Sequence, residues 1–121
     1  QGSDVALPID VSAIALIPEA LEFARMGVLP AGMYRNRSFA EAGVDVGTTE
    51  LAVQDLLFDP QTSGGLLMAV AEKDAEVCLR ELRDAIPTAA AVGYVTEKQD
   101  SWIVLELDTA CHAARNACPV G

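Results

Sequence analysis

The stretch "LLFDPQTSGGLLMAV", from Leu56 to Val70, joins two apolar runs through a short polar loop. The loop holds an acid, a proline, two hydroxyl residues and two adjacent glycines. The run before it ends the pattern "TTELAVQDLLF", which predicts a helix, and the run after it, "GLLMAV", is apolar on both faces and predicts a central strand. The stretch therefore predicts a helix, a special loop and a buried strand in succession.

The sequence before this stretch predicts a strand and a helix. "DVALPIDV" alternates apolar and polar residues, and Pro8 predicts that this strand, or at least its proline, lies at a sheet edge, because proline cannot donate to a ladder. "IPEALEFARMG" predicts a helix that begins near Pro18 and ends at Gly27. The Gly-rich residues from Val28 to Gly47 predict a long irregular connection.

The sequence after it predicts a helix and two strands. "EKDAEVCLRELRDAIP" is amphipathic, and Cys78 on its apolar face is expected in the core. "AAAVGYVTE" and "SWIVLEL" predict two strands joined by a hairpin turn near Lys98 to Asp100. This order predicts an α/β (α+β) fold, a two-layer sandwich in which a mixed sheet of about four strands has helices packed on one face.

Composition limits the possible partners. The chain has 121 residues, enough for one domain, and 8 basic against 18 acidic residues give a net charge of −10. That charge argues against nucleic acid or an anionic membrane surface as a general partner. Three cysteines predict reduced thiols and a cytoplasmic protein. The first residues, without an initiator Met, are expected to mark a cut inside a longer chain or a processed end.

The loop itself allows two interpretations. Thr62, Ser63, Gly64 and Gly65 place successive backbone N–H groups and two hydroxyls where no bulky side chain blocks a ligand, which suits a phosphate or another tetrahedral anion. No Lys follows, so this is not a Walker loop. The alternative is a loop that only turns a helix into a strand, with glycine for a positive φ and Asp59 as a cap.

The same residues resemble a known family. "LLFDPQTSGGLLMAV" is similar to the signature of the C-terminal domain of selenophosphate synthetase (selenide, water dikinase), in the aminoimidazole ribonucleotide synthetase-like superfamily. "PEALEFARMGVLPAGMYRNRSF" upstream and "AAAVGYVTE" downstream extend the similarity, from about Val5 to Leu107. On this basis residues 1–107 are the domain, and residues 108–121 are a tail expected to be poorly ordered.

The resemblance implies a reaction in which selenide, ATP and water give selenophosphate, AMP and phosphate, with magnesium. It also implies that an N-terminal half, absent from this chain, forms the homodimer, binds most of the ATP and magnesium, and supplies the catalytic residues. No catalytic or metal-binding residue and no bound cofactor are expected in this chain, and alone it is expected to be inactive.

Carried over residue by residue, the resemblance implies that the loop from Thr62 to Gly65 faces a phosphate in the cleft between the halves. Asp59 and Gln61 are expected to brace the loop. Asn36, with Arg35 or Arg37, is a second candidate for the cleft wall.

Other interpretations remain open at this point. Cys111, His112 and Cys118 offer only three ligands for zinc, which prefers four, so a tail without metal is favoured. The domain could be a free-standing anion-binding module without catalysis. It could also belong to a related enzyme of the aminoimidazole ribonucleotide synthetase or thiamine monophosphate kinase type, although the residues Asp59 to Thr62 argue against these relatives.

Overall fold

The computed structural model describes residues 3–107. The predicted tail, with Cys111, His112 and Cys118, lies outside the described residues. Within them, four helices accompany four strands, together with two short 3-10 turns at Val11–Ala13 and Glu41–Gly43. The helices are α1 (Pro18–Arg25), α2 (Ala31–Ala40), α3 (Leu51–Leu57) and α4 (Glu72–Ala85), and the strands are β1 (Val5–Asp10), β2 (Val44–Asp45), β3 (Thr96–Glu97) and β4 (Ile103–Glu106).

The strands form one mixed sheet in the order β2-β4-β1-β3. β1 pairs parallel with β4, from Leu7 opposite Ile103 to Asp10 opposite Glu106, and β4 pairs parallel with β2. β1 pairs antiparallel with β3, with Val5 opposite Glu97. The predicted α/β fold, a four-stranded mixed sheet with helices packed against it, is confirmed.

The edge position predicted for Pro8 is wrong, since β1 lies between β4 and β3. Pro8 accepts a hydrogen bond from the Tyr94 N–H (3.2 Å) but has no N–H to return. The antiparallel ladder is interrupted there and resumes at an isolated bridge between Ile9 and Gly93. Proline is thus tolerated in this central strand, because the one donor that it lacks only shortens the pairing between β1 and β3.

The predicted hairpin is also wrong in its pairing. β3 and β4 follow one another in sequence, but each pairs with β1 and not with the other. The N-terminal strand inserts between them, and sequence periodicity cannot show which strand lies between two others.

The first helix agrees with its prediction. Pro18 occupies the first turn of α1, and Gly27 after its end has a φ of +77°, the left-handed conformation that glycine adopts without strain. The predicted long connection from Val28 to Gly47 is wrong, because it contains α2 and β2. Its helix has a weak apolar stripe, and Met33, which is fully buried, anchors it.

The buried core is small and lies between the sheet and the first three helices. Its buried apolar members are Ala6, Val11, Ala24, Met33, Ala52 and Leu105. Gly43 is also buried, and its carbonyl accepts a hydrogen bond from the Trp102 N–H (2.8 Å). A Cβ on Gly43 would lie 2.0 Å from the Trp102 ring, so only glycine lets that ring pack against the backbone.

The central strand predicted for "GLLMAV" is wrong. These residues, Gly65–Val70, are here called the open segment. All six are exposed, they belong to no strand, and Leu66 and Leu67 are 92% and 72% exposed. α4, which follows, has no buried residue, and Cys78 is half-buried, so its predicted place in the core is also wrong. Of the described helices, none is long and apolar enough to cross a membrane.

Candidate functional site

The loop from Thr62 to Gly65 lies on the surface with its donors unused. All four residues are exposed, and in the described part of the chain neither their N–H groups nor the two hydroxyls make a hydrogen bond. Neither glycine has a positive φ, so the turn does not require them for conformation. Open space surrounds Gly65, where an added Cβ would meet no atom within 4 Å. The loop could therefore admit a ligand close to its backbone.

The start of the loop is fixed by α2. The Asn36 amide donates to the Phe58 carbonyl at the end of α3 (3.0 Å). One turn earlier on α2, Gly32 lies under Pro60, so closely that a Cβ there would be 2.6 Å from the proline Cγ. Asn36 and Gly32, four residues apart on one helix face, thus hold the chain on both sides of Asp59.

Arg37 makes a second connection between the same two helices. Its guanidinium donates to Asp55 Oδ1 and to Gln54 Oε1 (2.8 Å), and it lies 5.6 Å from the centre of the Phe58 ring. The Gln54 amide in turn donates to the Thr49 carbonyl (2.7 Å). The Asp55 side chain is only 10% exposed, so this ion pair is largely shielded from water.

These contacts separate the three α2 residues predicted for a cleft wall. Asn36 and Arg37 are committed to α3 within this chain, whereas Arg35 is exposed and its guanidinium has no partner among the described residues. We did not predict the link from Arg37 to Gln54 and Asp55. Its signal was present, since "QD" interrupts an otherwise apolar helix and polar groups at such positions need partners.

Asp59 and Gln61, which are predicted to brace the loop, make one long contact with each other. The Gln61 Nε2 is 3.5 Å from Asp59 Oδ2, at the limit of a hydrogen bond. The Gln61 side chain also covers Gly64, where a Cβ would lie 2.6 Å from Oε1. Gly64 therefore gives room to Gln61, while Gly65 faces open space. The bracing role stays a prediction.

A cleft lies away from the loop. Its volume is about 340 Å³, and it is lined by Val11, Ser12, Leu16, Thr48, Thr49, Glu50, Val53 and Leu107. The Thr49 hydroxyl there is buried and has no hydrogen-bond partner among the described residues. Among residues 3–107, no three His, Cys, Asp or Glu side chains come together in a way that could hold a metal ion.

One exposed ion pair joins the first and third helices. Arg25 at the end of α1 donates twice to Glu50, from Nε to Oε1 (2.7 Å) and from Nη2 to Oε2 (2.9 Å). The hydrogen bond from Arg25 lowers the pKa of Glu50 below its usual 4.5, and the same contact raises the pKa of Arg25. Both side chains are about half exposed, so the pair orients the helices more than it stabilises them.

No protein-family model matches the chain. Curated proteins named "Selenide, water dikinase" do match it. The one from Clostridioides difficile (strain 630) is 39% identical over 107 residues, which is 87% of this chain and 31% of that protein. The one from Caldanaerobacter subterraneus subsp. tengcongensis is 44% identical over 81% of this chain, and the one from Pelobacter propionicus is 50% identical over 74%.

The matched region covers most of this chain but only a small share of each relative. The chain spans about 30% of the length of the curated relatives it matches. The predicted resemblance is thereby confirmed: the chain is related to the selenide, water dikinases, and it matches a share of them that is consistent with their C-terminal domain.

Proposed function

We propose that this chain is the C-terminal domain of a selenophosphate synthetase, which makes selenophosphate, AMP and phosphate from selenide, ATP and water. The observation that carries the proposal is the similarity to selenide, water dikinases over 74–88% of the chain. The chain closes over a nucleotide held mainly by an N-terminal domain, and the complete protein is a cytoplasmic homodimer. Alone, the chain is inactive.

The part of the reaction assigned to this chain is phosphate binding by the loop from Thr62 to Gly65. Two hydroxyls and the loop N–H groups have no partner in residues 3–107, so a phosphate oxygen can take them without breaking a bond. Donors of this kind suit ATP, because phosphoryl transfer depends mostly on positioning and on neutralising charge. α2 fixes the loop's entrance through Asn36 and Gly32, which limits the ordering that a ligand must impose.

Magnesium fits this chain less well than ATP does. It prefers carboxylates and phosphate oxygens, and the described residues hold no acidic cluster beside the loop. Asp59, next to the loop, is engaged near Gln61. We therefore assign no metal ligand to this chain and place magnesium, with the catalytic residues, in the N-terminal domain.

A chimera tests the proposal directly. The matching segment of the Clostridioides difficile enzyme is replaced by this chain, and selenide-dependent release of AMP from ATP is measured. Turnover above that of the truncated parent supports the proposal. A chimera that is folded and assembled like the parent, binds ATP, and yet releases no AMP contradicts it.

Single substitutions in the active chimera then test the loop. Ser63→Ala removes one hydroxyl and is expected to lower kcat/KM by about tenfold or more, since a hydrogen bond to a charged group contributes about 1.5–3 kcal/mol. Thr88→Ala removes a hydroxyl that is also exposed, beyond α4, and is the matched control. Gly65→Ala is the sharper test, because its Cβ would meet no atom within 4 Å in the described part of the chain. A loss of activity there means that a ligand or the other domain approaches the backbone, and unchanged activity in both loop variants leaves the loop as a turn only.

A further inference from the structure

Arg35 on α2 is an exposed arginine without a partner among the described residues. The other basic residues of 3–107 outside α4, which are Arg25, Arg37 and Lys98, each pair with a carboxylate. The residues three and four positions from Arg35 on α2 include no acid; they are Ala31, Gly32, Ser38 and Phe39. In a chain of net charge −10, a cation kept apart from the acids is available to an external anion.

α2 places this arginine beside the entrance of the polar loop. Gly32, three residues before Arg35, lies under Pro60, where an added Cβ would be 2.6 Å from the proline Cγ. Asn36, the next residue along, donates to the Phe58 carbonyl (3.0 Å). Residues three apart on a helix are neighbours on its surface. The long side chain of Arg35 therefore starts next to the two contacts that fix the chain where the loop begins.

The polar loop offers hydrogen-bond donors but no positive charge. The hydroxyls and N–H groups of Thr62 to Gly65 have no partner among residues 3–107. No basic residue lies between Arg37 and Lys73, and Asp59 at the start of the loop adds a negative charge. Hydrogen bonds from a charged donor are roughly twice as strong as neutral ones. An anion at this loop is therefore held firmly only if another element supplies a cation, and α2 supplies Arg35.

We propose that Arg35 is the cationic contact of the phosphate site, its guanidinium pairing with the group that accepts from the loop of Thr62 to Gly65. The planar fork of arginine matches two oxygens of a phosphate, and the loop donors take the others. The ligand is a phosphoryl group, on the polyphosphate chain of a nucleotide or on a released phosphate. The assignment rests on the proposed function, and it gives Arg35 a role different from that of Asn36 and Arg37, which hold α2 against α3.

The test is an NMR titration of the whole chain, labelled with ¹⁵N, with tripolyphosphate and separately with orthophosphate. We expect the amides of Thr62 to Gly65 and the Arg35 Nε–H to shift along one binding curve. Arg35→Gln should raise Kd about three- to tenfold, because it removes a charged donor, and Arg35→Lys, which keeps the charge without the fork, should fall between. Tighter binding of tripolyphosphate assigns the site to a nucleotide, and orthophosphate bound at least as tightly assigns it to a released phosphate.

Arg80→Gln is the matched control. Arg80 on α4 is also exposed, but an acid lies four residues away on each side, at Glu76 and Asp84, so its charge is offset locally. Its loss should leave Kd unchanged. Three outcomes overturn the proposal: loop amides that shift with neither ligand, Arg80→Gln weakening binding as much as Arg35→Gln does, and Arg35→Gln binding as tightly as the wild type.

The chimera separates this inference from the proposed function. In an active chimera, Arg35→Gln should raise KM for ATP or lower kcat, while Arg80→Gln should change neither. An active chimera that Arg35→Gln leaves unaffected overturns the role of Arg35 and leaves the proposed function standing. A folded chimera that releases no AMP contradicts the proposed function, and the titration of the chain alone then still decides whether Arg35 and the loop bind one anion.

Discussion

The two sides of the polar loop differ in how they are held. Before it, α1 and α2 both contact α3, Met33 and Ala52 are buried, and Arg37 and Asn36 cross-link α2 to α3. After it, the open segment and α4 contain no buried residue, although about half of their residues are apolar, as in α1 to α3. Apolar sequence alone therefore does not make a core, because burial also needs a partner surface. Each of the four predictions below compares a packed or paired residue with an exposed residue of the same type.

The largest difference is expected for methionine. Met33 is fully buried and Met68 is 56% exposed in the open segment. Met33→Ala leaves a cavity and should lower the free energy of unfolding by about 2–5 kcal/mol, whereas Met68→Ala should change it by less than about 0.5 kcal/mol. Urea unfolding of dilute protein measures both. Equal losses would mean that the open segment is packed in solution and that the contrast is wrong.

Glycine gives the second comparison. A Cβ on Gly93 would lie 2.2 Å from the Pro8 carbonyl oxygen, a backbone atom that cannot swing away, whereas at Gly65 it meets nothing. Gly93→Ala should therefore cost about 1–3 kcal/mol of unfolding free energy by overpacking, and Gly65→Ala should cost almost none. Thermal and urea unfolding of both variants check this. If Gly65→Ala destabilises the fold, a loss of activity in the chimera can no longer be assigned to a ligand or domain that approaches the backbone.

Two arginines on α2, Arg35 and Arg37, give the third comparison. Arg37→Leu leaves the Asp55 carboxylate, 10% exposed, without its partner. We expect a loss of about 2–3 kcal/mol, between the roughly 0–1 kcal/mol of exposed pairs and the roughly 3–5 kcal/mol of fully buried ones. Arg35→Leu, on the same helix with an exposed and unpaired guanidinium, should be neutral. The double variant Arg37→Leu/Asp55→Leu should recover part of the loss, and a double variant as poor as the sum would show that the two side chains do not interact.

The sequence predicted well what depends on local pattern. Pro18 and Gly27 bound a helix through backbone preferences that act at those residues alone, and the alternation of β1 and the periodicity of α3 are equally local. The exposed polar loop was also visible, because proline, hydroxyls and glycines between apolar runs seldom pack inside a domain. Its position relative to the helix before it was therefore predicted correctly.

What failed depends on contacts between distant residues. The order of the strands placed Pro8 inside the sheet, and burial of one residue, Met33, made a helix from a weak pattern. "GLLMAV" has the composition of a central strand, but a strand needs an edge to pair with, and the sequence cannot show whether that edge is taken. The roles of Asn36 and Arg37 likewise became visible only when α2 was placed against α3.

The smallest effect is expected at the exposed pair of Arg25 and Glu50, and it depends on pH. The pKa of Glu50 is lowered in the folded chain, so the pair adds stability above the unfolded pKa, and this contribution is lost as the pH falls through the folded pKa below 4.5. Glu50→Gln should therefore lower the midpoint of thermal unfolding slightly at pH 7 and not at all once the wild-type carboxylate is protonated. Glu81→Gln, on the exposed side of α4, is the control and should leave the curve unchanged at both pH values. A difference at Glu50 that persists in acid would assign the effect to packing of the side chain, since the charge is then absent from both proteins.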